Sequence, residues 1–270
     1  MTKRLSLVFS LLLVLVLYPF QQLKALDQND GKPNSRIELS TAYEYLSPHS
    51  GYGDWKTISL SYYRTGQPDF TWYTQFFNFS RPEGSGQLAA VGAYKDWSRS
   101  FYTYTALAAG TETDYLPKTR IDHNFNFKFG QAKNWIWSLG GSYLQYSGEQ
   151  KDYILSTGFT AYRHNSVAEY RIFRNQSYPG AVGSYSYLLS FGVGQERKQW
   201  TTATFSAGKQ AYLATYLVKP EKVNKNSKMI SFNHRRWLDD HQGIFGDLSW
   251  LDLEESYRKT GFSLGYFSEF

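Results

Sequence analysis

The stretch RIDHNFNFKF, residues 120–129, alternates apolar and polar side chains over most of its length. One parity carries four apolar side chains, Ile121, Phe125, Phe127 and Phe129. The other parity carries only charged and amide side chains, Arg120, Asp122, Asn124, Asn126 and Lys128. Because successive side chains of a strand point to opposite faces, this period of two predicts a strand in a sheet with one apolar and one polar face.

The same alternation recurs from Arg36 onward, in runs of roughly ten residues separated by turn signals. Strands of about 9–11 residues cross a bilayer when tilted, whereas strands of globular proteins average about 5–6 residues. Charges on the polar face suit the lumen of a membrane barrel. We therefore predict an all-β fold, an antiparallel transmembrane β-barrel of the outer-membrane type over 36–270, in preference to a soluble β-domain.

Because side chains alternate along each run, the sequence assigns every residue to the lumen face or to the lipid face of this barrel. Polar residues predicted to face the lumen are Glu38, Glu44, Arg120, Asp122, Asn124, Lys128, Glu169 and Arg171. Residues predicted to face lipid are Phe125, Phe127, Tyr187, Leu189, Phe191, Leu264 and Tyr266. Amphipathic rings near the run ends are expected at the two headgroup levels, namely Trp55, Tyr94, Trp97, Trp135, Trp137, Tyr143, Tyr146, Trp200 and Trp237.

Residues 1–25 have the pattern of a secretory signal peptide. A basic pair at 3–4 precedes an apolar run over 5–17, and Ala25 ends a cleavage site. We predict a cleaved signal peptide over 1–25 and a polar periplasmic lead-in over 26–35. The signal peptide contains part of the basic excess behind the net charge of +6, so no nucleic-acid partner is expected.

The carboxyl end, 257–270, is another alternating run, and its last residue is aromatic. It resembles the carboxyl-terminal signal by which outer-membrane proteins are recognised by the assembly machinery and inserted. The residues predicted to form this insertion signal are Phe262, Leu264, Tyr266 and Phe270. We also predict that 257–270 pairs with 36–46 to close the sheet, since an open edge in lipid leaves backbone groups unsatisfied.

Turn signals set the strand number. Short links, expected to face the periplasm, lie at 66–68, 98–99, 131–133, 164–165 and 239–241. Longer polar links lie near 47–54, 81–86, 112–118, 147–151, 176–183 and 219–227. Alternating the two kinds predicts about 14 strands if 199–218 is one strand interrupted at Gly208, and 12 is the alternative.

Several segments carry a resemblance to the YaiO-type outer-membrane β-barrel proteins over most of 36–270. They are Asp114 to Pro117, Asn175 to Gly180, Gly208 to Leu213, Arg236-Trp237 and Tyr257 to Phe262. The resemblance implies a fold and an outer-membrane location. It supplies no reaction, because none of these segments is a catalytic signature.

The residues offer little for catalysis or metal binding. Cysteine is absent, so there is no disulfide framework or thiolate metal site, and no metal or cofactor is expected. No His-Glu-x-x-His motif occurs, and we expect no nucleophile elbow, since the Gly-x-Ser-x-Gly match at residues 261–265 lies within the alternating carboxyl-terminal run and not at a strand-to-helix turn. Lys219, Lys222, Lys225 and Lys228 recur every third residue in a predicted outer loop, which favours a solvated loop over a site for anionic polysaccharide.

The sequence thus favours a non-enzymatic envelope barrel, either a structural component or a narrow solute channel, with a link to surface polysaccharide as one option. Its expected partners are outer-membrane lipids, lipopolysaccharide and the outer-membrane assembly machinery. An outer-membrane hydrolase or acyltransferase with an active site at the rim is the alternative.

Overall fold

The computed structural model describes residues 33–270 except 112, 114, 181 and 211–224. In this described part, fourteen antiparallel strands form one closed barrel in which each strand pairs with its neighbours in sequence, which confirms the predicted fold and strand number. The predicted signal peptide and most of the lead-in lie outside the described residues. The strands are β1 (Ser35–Ser47), β2 (Asp54–Gln67), β3 (Phe70–Arg81), β4 (Gly84–Ser98), β5 (Phe101–Gly110), β6 (Thr119–Phe129), β7 (Trp135–Gln145), β8 (Lys151–Arg163), β9 (Ser166–Tyr178), β10 (Val182–Gln195), β11 (Gln199–Gln210), β12 (Lys225–Trp237), β13 (Gln242–Leu253) and β14 (Tyr257–Glu269).

A short helix, α1 (His49–Tyr52), follows β1. Among the described residues, no helix is long and apolar enough to cross a membrane. Both termini of the sheet lie at one end of the barrel, together with turns such as 99–100 and 164–165. Short turns of such barrels face the periplasm, so we call this end the periplasmic end and the opposite end the outer end.

The pairing of β1 with β14 closes the barrel, as predicted from the two alternating runs. Its register joins Leu39 to Tyr266 and Tyr43 to Phe262. The last residue completes the ladder, since the backbone N–H of Phe270 donates to the carbonyl of Ser35 at 2.9 Å. Ser35 therefore belongs to β1 and not to the predicted lead-in.

Side chains alternate between the lumen and the outer surface along every strand. Leu189 is 54% exposed on the outer surface, whereas its neighbour Ser190 is 7% exposed and hydrogen-bonds to Thr204 inside the barrel. The outer surface is a band of exposed aliphatic and aromatic side chains, as lipid contact requires. Register is fixed by this pattern, because a shift of one residue would turn every apolar side chain inward.

Some predicted loop boundaries are wrong. The links expected near 81–86 and 176–183 are shorter than predicted, because strand pairing continues to Arg81 opposite Gly84 in the first and to Ser177 opposite Val182 in the second. The link expected at 219–227 overlaps the beginning of β12, and Lys228 lies within that strand opposite Asp252. Residues 211–224, which include Lys219 and Lys222, lie outside the described residues.

Gly208 lies inside β11 and is not a hairpin, as the fourteen-strand prediction required. Its φ is +150°, and an added Cβ would lie 2.4 Å from the Cα of Ser186 on β10. A larger residue would force β10 and β11 apart, so glycine permits the close approach of the two strands.

Two neighbouring substitutions on β10 test the assignment of the faces. An arginine on the lipid surface of a barrel costs roughly 2–4 kcal/mol near the bilayer midplane. Leu189→Arg should therefore markedly lower the yield of folded barrel in lipid vesicles. Ser190→Arg should be much milder, because position 190 lies inside the barrel directly opposite Glu169. Equal loss in the two variants, read from heat-modifiable mobility on gels, would contradict the assignment.

Candidate functional site

The inward side chains enclose a cavity of about 370 Å³ in one half of the barrel. At the periplasmic end its wall includes the turn residues His164, Glu196 and Arg197, and toward the outer end it reaches Glu44 and Phe77. Hydroxyl side chains are frequent between these limits, namely Ser40, Thr57, Ser59, Ser61, Thr202, Thr204, Ser231, Ser249 and Ser263. We call this space the vestibule, because it opens at the periplasmic end.

Four charged side chains form a neutral cluster near the periplasmic end of the vestibule. The Glu38 carboxylate lies 2.8 Å from Arg36 Nε and 2.7 Å from Arg235 Nη2. Arg36 Nη1 lies 3.5 Å from Glu269, and the indole N–H of Trp237 donates to Glu269 at 3.2 Å. This cluster bridges β1, β12 and β14 across the closure seam, so the two positive and two negative charges balance locally.

A second cluster fills the lumen near the outer end. The Arg81 guanidinium lies 4.2 Å from the ring centre of Trp55 and 4.2 Å from that of Tyr115. Lys259, which is buried, forms an ion pair with Glu44 and lies 5.0 Å from the Trp55 ring. We call the following residues the outer cluster: Glu44, Trp55, Arg81, Tyr115, Tyr257 and Lys259.

The loop between β5 and β6 contributes to this cluster by folding into the barrel. Tyr115 and Leu116 are buried, and Leu116 packs with Phe77 and Phe79 of β3. The Tyr115 hydroxyl donates to the carbonyl of Gly84 at 3.0 Å. Burial raises the pKa of this hydroxyl, although the Arg81 charge opposes the shift. Inward side chains near the outer end, such as Leu46, Leu251 and Leu253, are no more than 1% exposed, so the lumen is filled at this level.

Tyrosines fill the half of the lumen opposite the vestibule. The hydroxyls of Tyr73 and Tyr104 are 2.6 Å apart, and the rings of Tyr94 and Tyr104 are 4.7 Å apart. The Tyr73 ring lies over Gly92, where an added Cβ would be only 2.3 Å from it. Small residues on β4 and β5 therefore leave the space that these rings occupy.

The predicted lumen-facing residues all lie on the inward side of their strands. They do not form one network but several separate groups. Arg120 contacts Asp122 through two hydrogen bonds of 2.6 and 2.7 Å, and Arg171 donates to Glu169 at 3.0 Å. Each of these pairs lies within one strand. Two more predicted residues are half-buried on β6, where Asn124 lies over Gly140 and Lys128 pairs with Asp96 at 3.0 Å. Glu38 and Glu44 belong to the two clusters at the vestibule.

The predicted lipid-facing residues are all exposed on the outer surface, between 39% for Phe127 and 64% for Leu264. Phe262, Tyr266 and Phe270 share this exposure. Their part in recognition by the assembly machinery stays a prediction. Phe267, between them, points inward and is fully buried beside the Arg235 guanidinium at 4.6 Å.

The predicted aromatic girdles are partly wrong. Trp97, Trp135 and Trp137 are exposed on the outer surface as expected. Tyr143 shares the outward parity of Trp135 and Trp137. The parity of the remaining five rings turns them inward, because a ring near a strand end can lie on either face. These inward rings are Trp55, Tyr94, Tyr146, Trp200 and Trp237.

Among the described contacts, no histidine joins a serine hydroxyl to a carboxylate: His49 Nδ1 lies 3.5 Å from Asp54, and the His49 ring stacks on Tyr45. His123 and His234 lie near outer-surface threonines, with Nδ1 2.8 Å from the hydroxyls of Thr105 and Thr201. Asp239 accepts two backbone N–H hydrogen bonds within its own turn, one of them from His241. The sequence Asp239-Asp240-His241 therefore serves to form this turn. In the described residues, no group of three His, Asp or Glu side chains is placed to hold a metal ion.

The fold and the lumen can now be compared with known proteins. The model of the YaiO membrane beta barrel domain matches residues 34–213. The chain belongs to the YaiO family. This confirms the resemblance drawn from the sequence, although the segments at 236–237 and 257–262 lie beyond the matched residues. No curated protein sequence matches the chain.

Solved outer-membrane barrels share the fold of this YaiO-family chain at very low identity. The CymD monoaromatic hydrocarbon channel is 8% identical with a TM-score of 0.58, covering 88% of this chain and 89% of its own. Omp33 of Acinetobacter baumannii is 10% identical with a TM-score of 0.53, covering 89% and 100%. A bacterial polysaccharide outer membrane secretin is 8% identical with a TM-score of 0.53, covering 89% and 100%. The chain is a membrane β-barrel of the YaiO family with the fold of solved outer-membrane barrels.

The Glu44–Lys259 pair of the outer cluster allows a stability test. Removing one partner of a buried ion pair costs about 3–5 kcal/mol, whereas replacing both by apolar groups is often neutral. Glu44→Gln should therefore lower the temperature at which the folded barrel unfolds on gels. The double variant Glu44→Leu/Lys259→Met should recover most of the loss. Glu149→Gln, in an exposed outer turn, is the control and should have no effect; additive losses in the double variant would contradict the pairing.

Proposed function

We propose that this barrel is a narrow, non-enzymatic solute channel that is entered from the periplasm and restricted at the outer end by the outer cluster. One observation carries the proposal: the vestibule extends from the periplasmic turns up to Glu44 and Phe77, and the lumen beyond it is filled by side chains. The volume of the vestibule, about 370 Å³, lies within the range of roughly 300–1,000 Å³ of small-molecule sites.

The outer cluster combines strand residues with a loop residue, which suits a restriction that can open. Arg81 and Trp55 belong to strands, but Tyr115 belongs to the loop between β5 and β6. The Tyr115 hydroxyl donates to Gly84, Leu116 packs on Phe77 and Phe79, and hydrogen bonds between Thr111 and Gln87 hold the base of the loop. The contact of Tyr115 with Arg81 is a cation–π contact, which contributes about 0.5–2 kcal/mol. The Tyr115 and Leu116 contacts lie outside the strand ladder, so this part of the loop can move without unfolding the barrel.

The hydroxyl-rich wall favours small polar solutes over apolar ones. The shared fold with a monoaromatic hydrocarbon channel and with a polysaccharide secretin supports transport in general. A link to surface polysaccharide rests on the second of these likenesses and on the hydroxyl groups of the wall. Export through a signal peptide cleaved after Ala25, insertion through the carboxyl-terminal residues and contact with lipopolysaccharide complete the proposal.

Planar-bilayer recording of the purified barrel tests this function. The wild type should give a small, infrequently open conductance. Tyr115→Ala removes one ring from the outer cluster without touching a strand, so it should raise the mean conductance several-fold. Tyr187→Ala, on the exposed outer surface, is the matched control and should leave the conductance unchanged.

Two outcomes would contradict the proposal. If neither the wild type nor Tyr115→Ala conducts, the barrel is a structural component of the envelope. If the wild type conducts as a wide, permanently open pore that Tyr115→Ala does not alter, the outer cluster is no restriction.

A further inference from the structure

Asp247 is the carboxylate of the inner vestibule wall that has no cationic partner among the described residues. It lies halfway along β13, and its Oδ1 accepts a hydrogen bond from Asn233 Nδ2 at 2.7 Å. Its Oδ2 accepts one from the Ser263 hydroxyl at 2.5 Å. Both donors are neutral groups on the neighbouring strands β12 and β14. They hold the carboxylate in place and leave its negative charge uncompensated.

The other carboxylates of the inner wall are balanced. Glu38 lies between Arg36 and Arg235, Glu269 lies near Arg36, and Glu44 pairs with Lys259. The residues around Asp247 add oxygen atoms but no charge, since Ser231, Asn233, Ser249 and Ser263 line the same wall. A mobile ion that enters the vestibule therefore meets one net negative charge surrounded by hydroxyl and amide groups.

The charges at the periplasmic mouth act differently because they lie in water. Arg163, Glu196 and Arg197 belong to β8 and to the turn after β10, and none of them is buried. Salt at 0.15 M screens exposed charges over about 8 Å, whereas a partly buried charge is screened much less. At the outer end, the Arg81 charge is opposed by the charges of Glu44 and Glu83. At physiological and higher ionic strength, Asp247 is therefore the charge that contributes most to the field midway along the vestibule.

We propose that the vestibule selects small cations over anions and that Asp247 is the residue that sets this preference. The solutes concerned are monovalent metal ions and small molecules with an ammonium group. An unpaired carboxylate inside a narrow lumen of low polarisability attracts a cation and repels an anion. The hydroxyl oxygens beside it replace part of the hydration shell of the cation, which lowers the cost of entry. The inference rests on the proposed channel for its role in transport, but ion occupancy of the vestibule can be measured without conduction.

The first test is the reversal potential in a KCl gradient, recorded for the wild type and in the more open Tyr115→Ala background. K⁺ should be more permeant than Cl⁻. Asp247→Asn should reduce the permeability ratio about fivefold, the factor equivalent to the roughly 1 kcal/mol between unit charges about 4 Å apart in a water-like medium. Asp247→Ser should act in the same direction if Asp247→Asn folds poorly. Asp252→Asn removes a carboxylate of the same strand that pairs with Arg258 on the exposed outer surface, so it should leave the ratio unchanged.

The second test uses tryptophan fluorescence, because Trp200 and Trp237 line the vestibule. Caesium should quench the wild type more than it quenches Asp247→Asn, while iodide should quench Asp247→Asn more than the wild type. This readout requires entry into the vestibule but no passage through the barrel. If caesium discriminates between the variants and no conductance is found, the proposed channel fails and the cation site stands. If conductance is found but neither the permeability ratio nor the quenching depends on Asp247, the channel stands and this inference is wrong.

Discussion

The structure depends on one constraint: within lipid, every backbone N–H and C=O must find a partner inside the protein. A sheet meets this demand only by closing, and here closure requires the first strand to pair with the last. The two ends of the sequence therefore have to present matching strands, and the ladder from Arg36 opposite Glu269 to Ser47 opposite Arg258 does so without a gap. Because β1 pairs with β14, the closed lumen does not exist until β14 has joined the sheet.

Closure also decides what the polar side chains can do. Half of the side chains are enclosed in the lumen, and where side chains fill the lumen there is little room for water, so the charges buried there need partners. The chain meets this need in two ways. Pairs within one strand, such as Arg120 with Asp122, neutralise charge locally, whereas the contacts of Glu38 with Arg36 and Arg235 cross the closure seam. The outer cluster adds aromatic rings around Arg81 and Lys259, so that cations near the outer end are stabilised where water is scarce.

The alternation of residues was enough to predict the strands, the closure and the face of most side chains. It works for 120–129 because a period of two fixes relative orientation over the whole run. The prediction of aromatic girdles failed for Trp55 and Trp237, because it followed their position near a strand end, whereas their parity places them in the lumen. Some predicted links were also too long, because polar residues beside a turn continue the pairing of the strands, as at 81 and 84. The tyrosine-filled half could have been found from Gly92, Ala106 and Ala108, whose small side chains share the inner parity of β4 and β5. Nothing local in the sequence predicts that Tyr115 folds inward, because that contact joins a loop to residues on distant strands.

The central claim is that the lumen is reached from the periplasm and closed toward the outside, and cysteine labelling tests it most directly. The chain contains no cysteine, so single-cysteine variants report one position each. Ser231→Cys lies on the vestibule wall, and Glu149→Cys lies in an exposed outer turn. A membrane-impermeant maleimide should label only Glu149→Cys on intact cells, and should label both variants once the periplasmic side is opened. Labelling of Ser231→Cys on intact cells at the rate of Glu149→Cys would show that the outer end is open, and would contradict the claim.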